Sequence, residues 1–184
     1  MKTFEKAGRS NTRACLETAI SEMGKMGIST LIVASTYGDT GLKAAELLSK
    51  QDVTLIVITH NYGFKEPAHL EMTPDVRNRL KAMGATVYTG TMPFRNIGTA
   101  IRQGLGYSQQ DLIANTLRIL GQGVKVCVEI AMMAADAGLI GTEDVITVAG
   151  TGRGADTAAV IKPASSNCLF DIKIRKILAK PWDW

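Results

Sequence analysis

A chain of 184 residues with 46% apolar and 21% charged side chains has ordinary globular composition, and its length fits one domain, residues 1–184, with a sizeable core. The net charge is +4, but the basic residues are scattered and aromatics reach only 5%, so a nucleic-acid partner is not expected, whereas a small positive excess suits an anionic small ligand. Three irregularly spaced cysteines (Cys15, Cys127, Cys168) and two histidines exclude a disulfide framework and a His-rich metal site, and the start MKTFEKAGRSNTR lacks the apolar stretch of a signal peptide. The longest uncharged apolar run, Ile130 to Ala135, is far below the roughly 20 residues that span a bilayer, so no membrane partner and a cytoplasmic location are expected.

In chain order, Asn11 to Met26 carries Leu16, Ala19, Ile20 and Met23 at helical spacing, with Ser10 or Asn11 as cap and Gly27 as stop. Thr30 to Ala34 is a continuous apolar run of strand length, the pattern of a parallel strand buried on both faces. A polar turn, Ser35 to Gly41, leads into a helix over Leu42 to Lys50, and Val53 to Thr59 is a second buried strand. Thr73-Pro74 combines a capping hydroxyl with proline at the first helical position, and Val76, Leu80 and Met83 give that helix an apolar face. Thr86 to Thr89 is a third strand. Strands alternating with helices at this spacing predict βαβ units and a parallel sheet with helices on both faces.

The middle of the chain is helical. Ile97 and Ile101 mark a helix over Asn96 to Gly104, and Ser108 to Asp111 reads as a capping box before Ile113, Leu117 and Leu120. Val124 to Ala137 begins with strand-like alternation but runs too long for a strand, and is read as a buried helix ending at Gly138. Val145 to Ala149 is a fourth buried strand. Ala155 to Ile161 and Asp171 to Leu178 are predicted as terminal strands forming antiparallel edges.

In an open α/β sheet, ligands bind outside the carboxyl ends of the strands. Three segments fall there. The first is Ser35 to Gly41, where free N–H groups at a helix start favour an anion. Gly38 and Gly41 would admit a phosphate to the backbone, and Ser35, Thr36 and Thr40 add hydroxyls. The loop lacks the Gly-Lys-Ser/Thr ending of a P-loop, and an ordinary polar turn capped by Thr40 is the alternative. The second is Gly150-Thr151-Gly152-Arg153-Gly154, whose glycines suggest close approach to a ligand and whose arginine offers a bidentate fork; a tight turn with a solvated Arg153 is the alternative. The third is His60-Asn61-Tyr62-Gly63-Phe64-Lys65-Glu66-Pro67, where His60 is a candidate acid–base group and the aromatics, with Tyr37, are candidates to cover a ring; a structural loop is the alternative. Lys125 and Glu129 stand four apart and can simply pair, and Cys127 reads as a small core residue. No metal ligand set stands out.

The segments NTRACLETAISEMGKMGISTLIVASTYGDTGLKAAELL, TLIVITHN and VITVAGTGRGADTAAVIKPAS resemble the C-terminal α/β domain of pyruvate kinase. LGQGVKVCVEIAMMAADAGLI and IRKILAKP resemble, more specifically, a family of small stand-alone prokaryotic proteins built on that domain. The resemblance implies a three-layer α/β/α fold with a mixed, mostly parallel sheet. It implies phosphate binding at the loop matching Ser35 to Gly41, and for the stand-alone family it implies bound FMN, with a flavin-dependent oxidoreductase as one activity and a regulatory module for a nucleotide or sugar phosphate as the alternative. A small hydrolase or lyase using His60 or Cys127 is a third reading. The chain is too short for the catalytic barrel of pyruvate kinase, so phosphoryl transfer from phosphoenolpyruvate is not expected. Asp39 stands where that enzyme's loop carries a basic residue, which disfavours a sugar bisphosphate and suits a single phosphate on a neutral aromatic head. A homo-oligomer is left open.

Overall fold

The computed structural model describes all residues from 1 to 184. Its seven strands form one sheet in the order β1-β7-β6-β5-β2-β3-β4. The strands are β1 (Lys2–Lys6), β2 (Thr30–Ala34), β3 (Thr54–Ile58), β4 (Thr86–Tyr88), β5 (Val145–Ala149), β6 (Thr157–Lys162) and β7 (Lys173–Asp183). Only β6 runs against its neighbours; β1 lies parallel to β7, and β2, β3, β4 and β5 are mutually parallel. The helices are α1 (Thr12–Met26), α2 (Asp39–Leu48), α3 (Pro74–Ala82), α4 (Asn96–Leu105), α5 (Gln109–Arg118) and α6 (Gln122–Asp136).

Strand pleating splits the apolar runs between two cores. Leu31, Val33, Val57, Ile146 and Val148 join Leu16 and Ala19 of α1, Ala44 and Leu48 of α2 and Leu80 of α3 on one face. Ile32, Ile56, Ile58 and Ala149 join Val128, Ala131 and Met132 of α6 on the other, with α5 packed outside α6 and α4 against α5. The architecture is therefore the three-layer α/β/α fold with a mixed, mostly parallel sheet that the resemblance implies. No helix is long and apolar enough to cross a membrane.

Several elements differ from the sequence expectation. β1 was not expected, because KTFEK buries only Phe4 and an edge strand with one apolar side chain carries no periodic signal. With β1 in place, β6 and β7 are interior strands rather than edges, and β7 starts after a 3₁₀ turn at Ser166–Asp171 and runs on to Asp183. α1 starts after a 3₁₀ turn, and the Asn11 side chain donates to the Lys6 carbonyl at 2.7 Å instead of capping the helix. α2 begins at Asp39 rather than Leu42, so Asp39, Thr40 and Gly41 belong to its first turn. The capping hydroxyls of Thr73 and Ser108 do accept from the Val76 and Asp111 N–H groups, at 3.4 and 3.1 Å.

Candidate functional site

The shared strand direction brings the carboxyl ends of β2, β3 and β5 together, and a cleft of about 410 Å³ opens there. Of the expected residues, it is lined by Ser35, Thr36, Asp39, Thr40, His60, Gly150, Gly152, Arg153 and Gly154, together with Tyr37. Ala34, Lys65 and Val126 complete the wall. Gly38, Gly41, Asn61, Gly63, Phe64 and Thr151 do not line it.

The reasons are packing and turn geometry. Gly38 has φ 95°, and a Cβ there would lie 2.1 Å from Val76 Cγ1 of α3. Its missing side chain thus admits α3, not a ligand. A Cβ on Gly41 would meet Val57 Cγ1 at 3.0 Å, so this glycine seats α2 on β3. Gly63 closes a turn whose N–H donates to the His69 carbonyl at 2.8 Å, and the Asn61 amide donates to the Tyr62 carbonyl at 2.8 Å. Phe64 is held between the His60 ring, centroids 3.9 Å apart, and the Arg95 guanidinium 4.6 Å from its centre. Tyr62 is 62% exposed. Tyr37 and the His60 imidazole are thus the aromatic rings on the cleft wall.

At the start of α2 the Gly41 N–H donates to Ser35 Oγ at 3.1 Å, and the first intrahelical bond runs from Leu42 N–H to the Gly38 carbonyl at 2.8 Å. Helix geometry leaves the N–H groups of Asp39 and Thr40 without an intrahelical partner. The charged side chains around them are basic in sum. Arg153 Nη2 lies 2.8 Å and Arg9 Nη2 3.6 Å from Asp39 Oδ2, and Lys65 Nζ donates to Tyr37 Oη at 2.6 Å. Arg153 also rests against the Tyr37 ring, 4.8 Å from its centre.

The loop that carries Arg153 is organised from below. Asp156 is fully buried; its Oδ2 accepts from the Gly8 N–H at 2.9 Å and the Thr151 N–H at 3.1 Å, and its Oδ1 accepts from Thr157 Oγ1 at 2.8 Å. Thr12 Oγ1 accepts from the Ala155 N–H at 3.0 Å and donates to the Arg9 carbonyl at 2.7 Å. Gly154, at φ 84°, lets this loop close on the N-terminal segment, since a Cβ would sit 2.6 Å from Arg9 Cα. Arg9 comes within 3.6 Å of the Asp39 carboxylate at the cleft by this route, and with β1 unforeseen nothing in the sequence pointed to it.

His60 sits at the end of β3 with Nε2 3.2 Å from Thr36 Oγ1. Its Nδ1 is 3.5 Å from Oε1 of Glu71, which is 8% exposed and has no hydrogen bond on either carboxylate oxygen. Burial pushes the imidazole below its ordinary pKa of 6.5, partly offset by Glu71, with Arg95 and Lys65 adding to the depression. Thr36, His60 and Glu71 therefore form a line from cleft to interior in which a neutral imidazole can present a basic nitrogen. Glu71 follows the expected loop, and its sequence context gave no signal.

Cys127 is fully buried with Sγ 3.7 Å from the Thr147 carbonyl, and burial pushes its thiol up to about 12, which removes it as a nucleophile. Lys125 and Glu129 do pair, and both are buried. Glu129 Oε1 also accepts from the Phe94 N–H at 2.9 Å, and burial lowers the Lys125 pKa against the opposing pull of Glu129.

No protein-family model matches the chain. Among solved structures it is similar to a pyruvate kinase from Cryptosporidium parvum, with TM-score 0.44 and 15% identity over 83% of this chain and 23% of that one. Cryptosporidium parvum pyruvate kinase in complex with ADP gives TM-score 0.44 and 16% identity over 83% and 24% of the two chains. A hydrogen sulfide-producing enzyme from Fusobacterium nucleatum gives TM-score 0.34 and 17% identity over 58% and 32%. The chain spans about a quarter of the length of the pyruvate kinases it matches.

Proposed function

We propose that this protein binds a phosphorylated small molecule in the cleft at the carboxyl ends of β2, β3 and β5, with FMN as the leading ligand. The observation that carries the reading is the start of α2: the N–H groups of Asp39 and Thr40 have no intrahelical partner, Arg9 and Arg153 pair with the Asp39 carboxylate, and Arg153 and Lys65 line the same cleft. A helix start with net positive surroundings favours an anionic group. The cleft volume of about 410 Å³ falls in the range of roughly 300–1,000 Å³ typical of small-molecule sites. FMN fits this donor set through its single phosphate. Its flavin would extend toward His60 and the 150–154 loop, with Tyr37 as the available ring contact. A bound flavin supplies electron-transfer chemistry that no side chain here provides. A regulatory module for a nucleotide or sugar phosphate is the competing reading, and it uses the same phosphate donors.

A second reading draws on a separate observation. Thr36 and His60 stand on the cleft wall with Glu71 buried behind the imidazole, the arrangement of a positioned proton acceptor, which favours proton transfer on the bound ligand over ligand sensing alone. An absorbance spectrum of the protein as purified, followed by titration with FMN, tests the leading reading. Quenched flavin fluorescence with one flavin per chain is the expected result. Stabilisation by a sugar phosphate with no response to FMN selects the regulatory reading instead.

A further inference from the structure

The hairpin of α4 and α5 encloses a groove of about 280 Å³ that shares no lining residue with the cleft. Arg95, Thr99 and Arg102 line it from α4 and the residue before it, and Asp111, Asn115 and Arg118 from α5. Gly98 builds the hairpin: it is buried, and a Cβ there would lie 2.7 Å from Gln110 Cβ, so no larger residue lets the helices close this way.

Each guanidinium is aimed by its own partner. Arg102 Nε donates to Asp111 Oδ2 at 2.6 Å. Arg118 donates from Nε to Gln122 Oε1 at 2.9 Å and from Nη1 to Asn115 Oδ1 at 2.7 Å. Arg95 lies over the Phe64 ring. With those bonds made, the remaining polar groups are almost all donors: both Nη of Arg102, Nη2 of Arg118, the Arg95 guanidinium, the Asn115 Nδ2 amide and the Thr99 hydroxyl. The acceptor left over is Asp111 Oδ1. Three arginines against one aspartate leave an excess of two positive charges, and the buried Lys125–Glu129 pair beneath adds none. Like charges gathered and oriented on a scaffold repel one another unless an anion joins them, and planar guanidinium forks match the oxygens of phosphate.

We propose that this groove is a second anion site, selective for a phosphate group. The test is an amide NMR titration of the full chain with inorganic phosphate and with pyrophosphate, against chloride at matched ionic strength. Saturable shifts at Thr99 and Asn115 are expected. They should weaken at least tenfold in Arg118→Lys, which keeps the charge and loses the fork, and vanish in the double variant Arg95→Gln/Arg118→Gln. Arg153→Gln should leave them unchanged, which separates this groove from the cleft. Shifts that match chloride, that never saturate, or that appear only at Asp39 and Thr40 would overturn the proposal. So would saturable binding that survives in the double variant with the fold intact.

Discussion

Arg153 and Asp39, separated by 114 residues in sequence, meet at 2.8 Å across the mouth of the cleft. The contact joins the β5–β6 loop to the first turn of α2, and Arg9 approaches the same carboxylate. The carboxylate that seemed from the sequence to repel a phosphate is thus paired with two cations. An anion entering here meets the unused edges of the guanidinium groups.

This relationship sets the sign of two substitutions. Asp39→Asn releases Arg153 and Arg9 and should tighten binding of a phosphorylated ligand several-fold. Arg153→Ala should weaken it about tenfold, or ~1.4 kcal/mol. Both side chains are more than a third exposed, so neither change should move the melting temperature by more than a degree or two, since exposed ion pairs contribute little. Calorimetric titration and thermal melts on the same preparations check this. A large fall in melting temperature with an unchanged dissociation constant would make Arg153 structural.

Gly38→Val is expected to act on stability. The new side chain would collide with Val76 and force a β-branched residue to a positive φ. The combined cost is at least about 2 kcal/mol, read by urea unfolding. In a Gly38→Ala background, Val76→Ala should recover the steric part and leave the backbone part. If Gly38→Val unfolds like the wild type and fails only to bind ligand, Gly38 belongs to the ligand site after all.

The pH dependence follows from His60. Its folded pKa lies below 6.5, so as pH falls through 6.5 the unfolded state takes up a proton that the folded state refuses. The associated stability is fully present above pH about 6.5 and is lost as pH falls toward the depressed folded value. Thr36, Phe64, Lys65, Glu71 and Arg95 surround the ring. Removing the favourable charge in Glu71→Gln should depress the imidazole further. An NMR titration of His60 in both proteins checks the direction; a folded pKa above 6.5 in the wild type would contradict it.

The buried pair on α6 gives a stability prediction free of the ligand. Lys125→Met leaves Glu129 buried without its cation and should cost about 3–5 kcal/mol. Adding Glu129→Leu should recover much of that, less the acceptor lost to the Phe94 N–H. Denaturant unfolding of the single and double variants reads both. If the double variant is no more stable than the single, burial of an unpaired charge is not the cause.

The fold was largely legible because its strands are buried on both faces. TLIVA, TLIVI and VITVA are apolar runs with threonine as their one polar residue, and their place in chain order prescribes parallel pairing and a site at their carboxyl ends. β1 was not legible, because its pairing with β7 comes from backbone bonds that the alternation of KTFEK does not advertise. The same blindness hid Arg9. The glycines were legible as places of close approach, but a sequence does not say what approaches: at Gly38 it is Val76, and at Gly154 it is the Arg9 backbone. Glu71 stayed hidden because its meaning depends on His60, eleven positions away across an irregular loop.

The central claim, that the start of α2 holds a phosphate, is tested most directly by the affinity ratio of FMN to riboflavin, measured by flavin fluorescence quenching on the same protein. The two ligands share the ring and differ in the phosphate. Loss of the phosphate leaves two backbone donors and the surrounding cations without their partner, and should weaken binding by about a hundredfold, ~2.7 kcal/mol. The ratio should fall severalfold in Arg153→Ala. Equal affinities for FMN and riboflavin, or a ratio untouched by Arg153→Ala, would contradict the account.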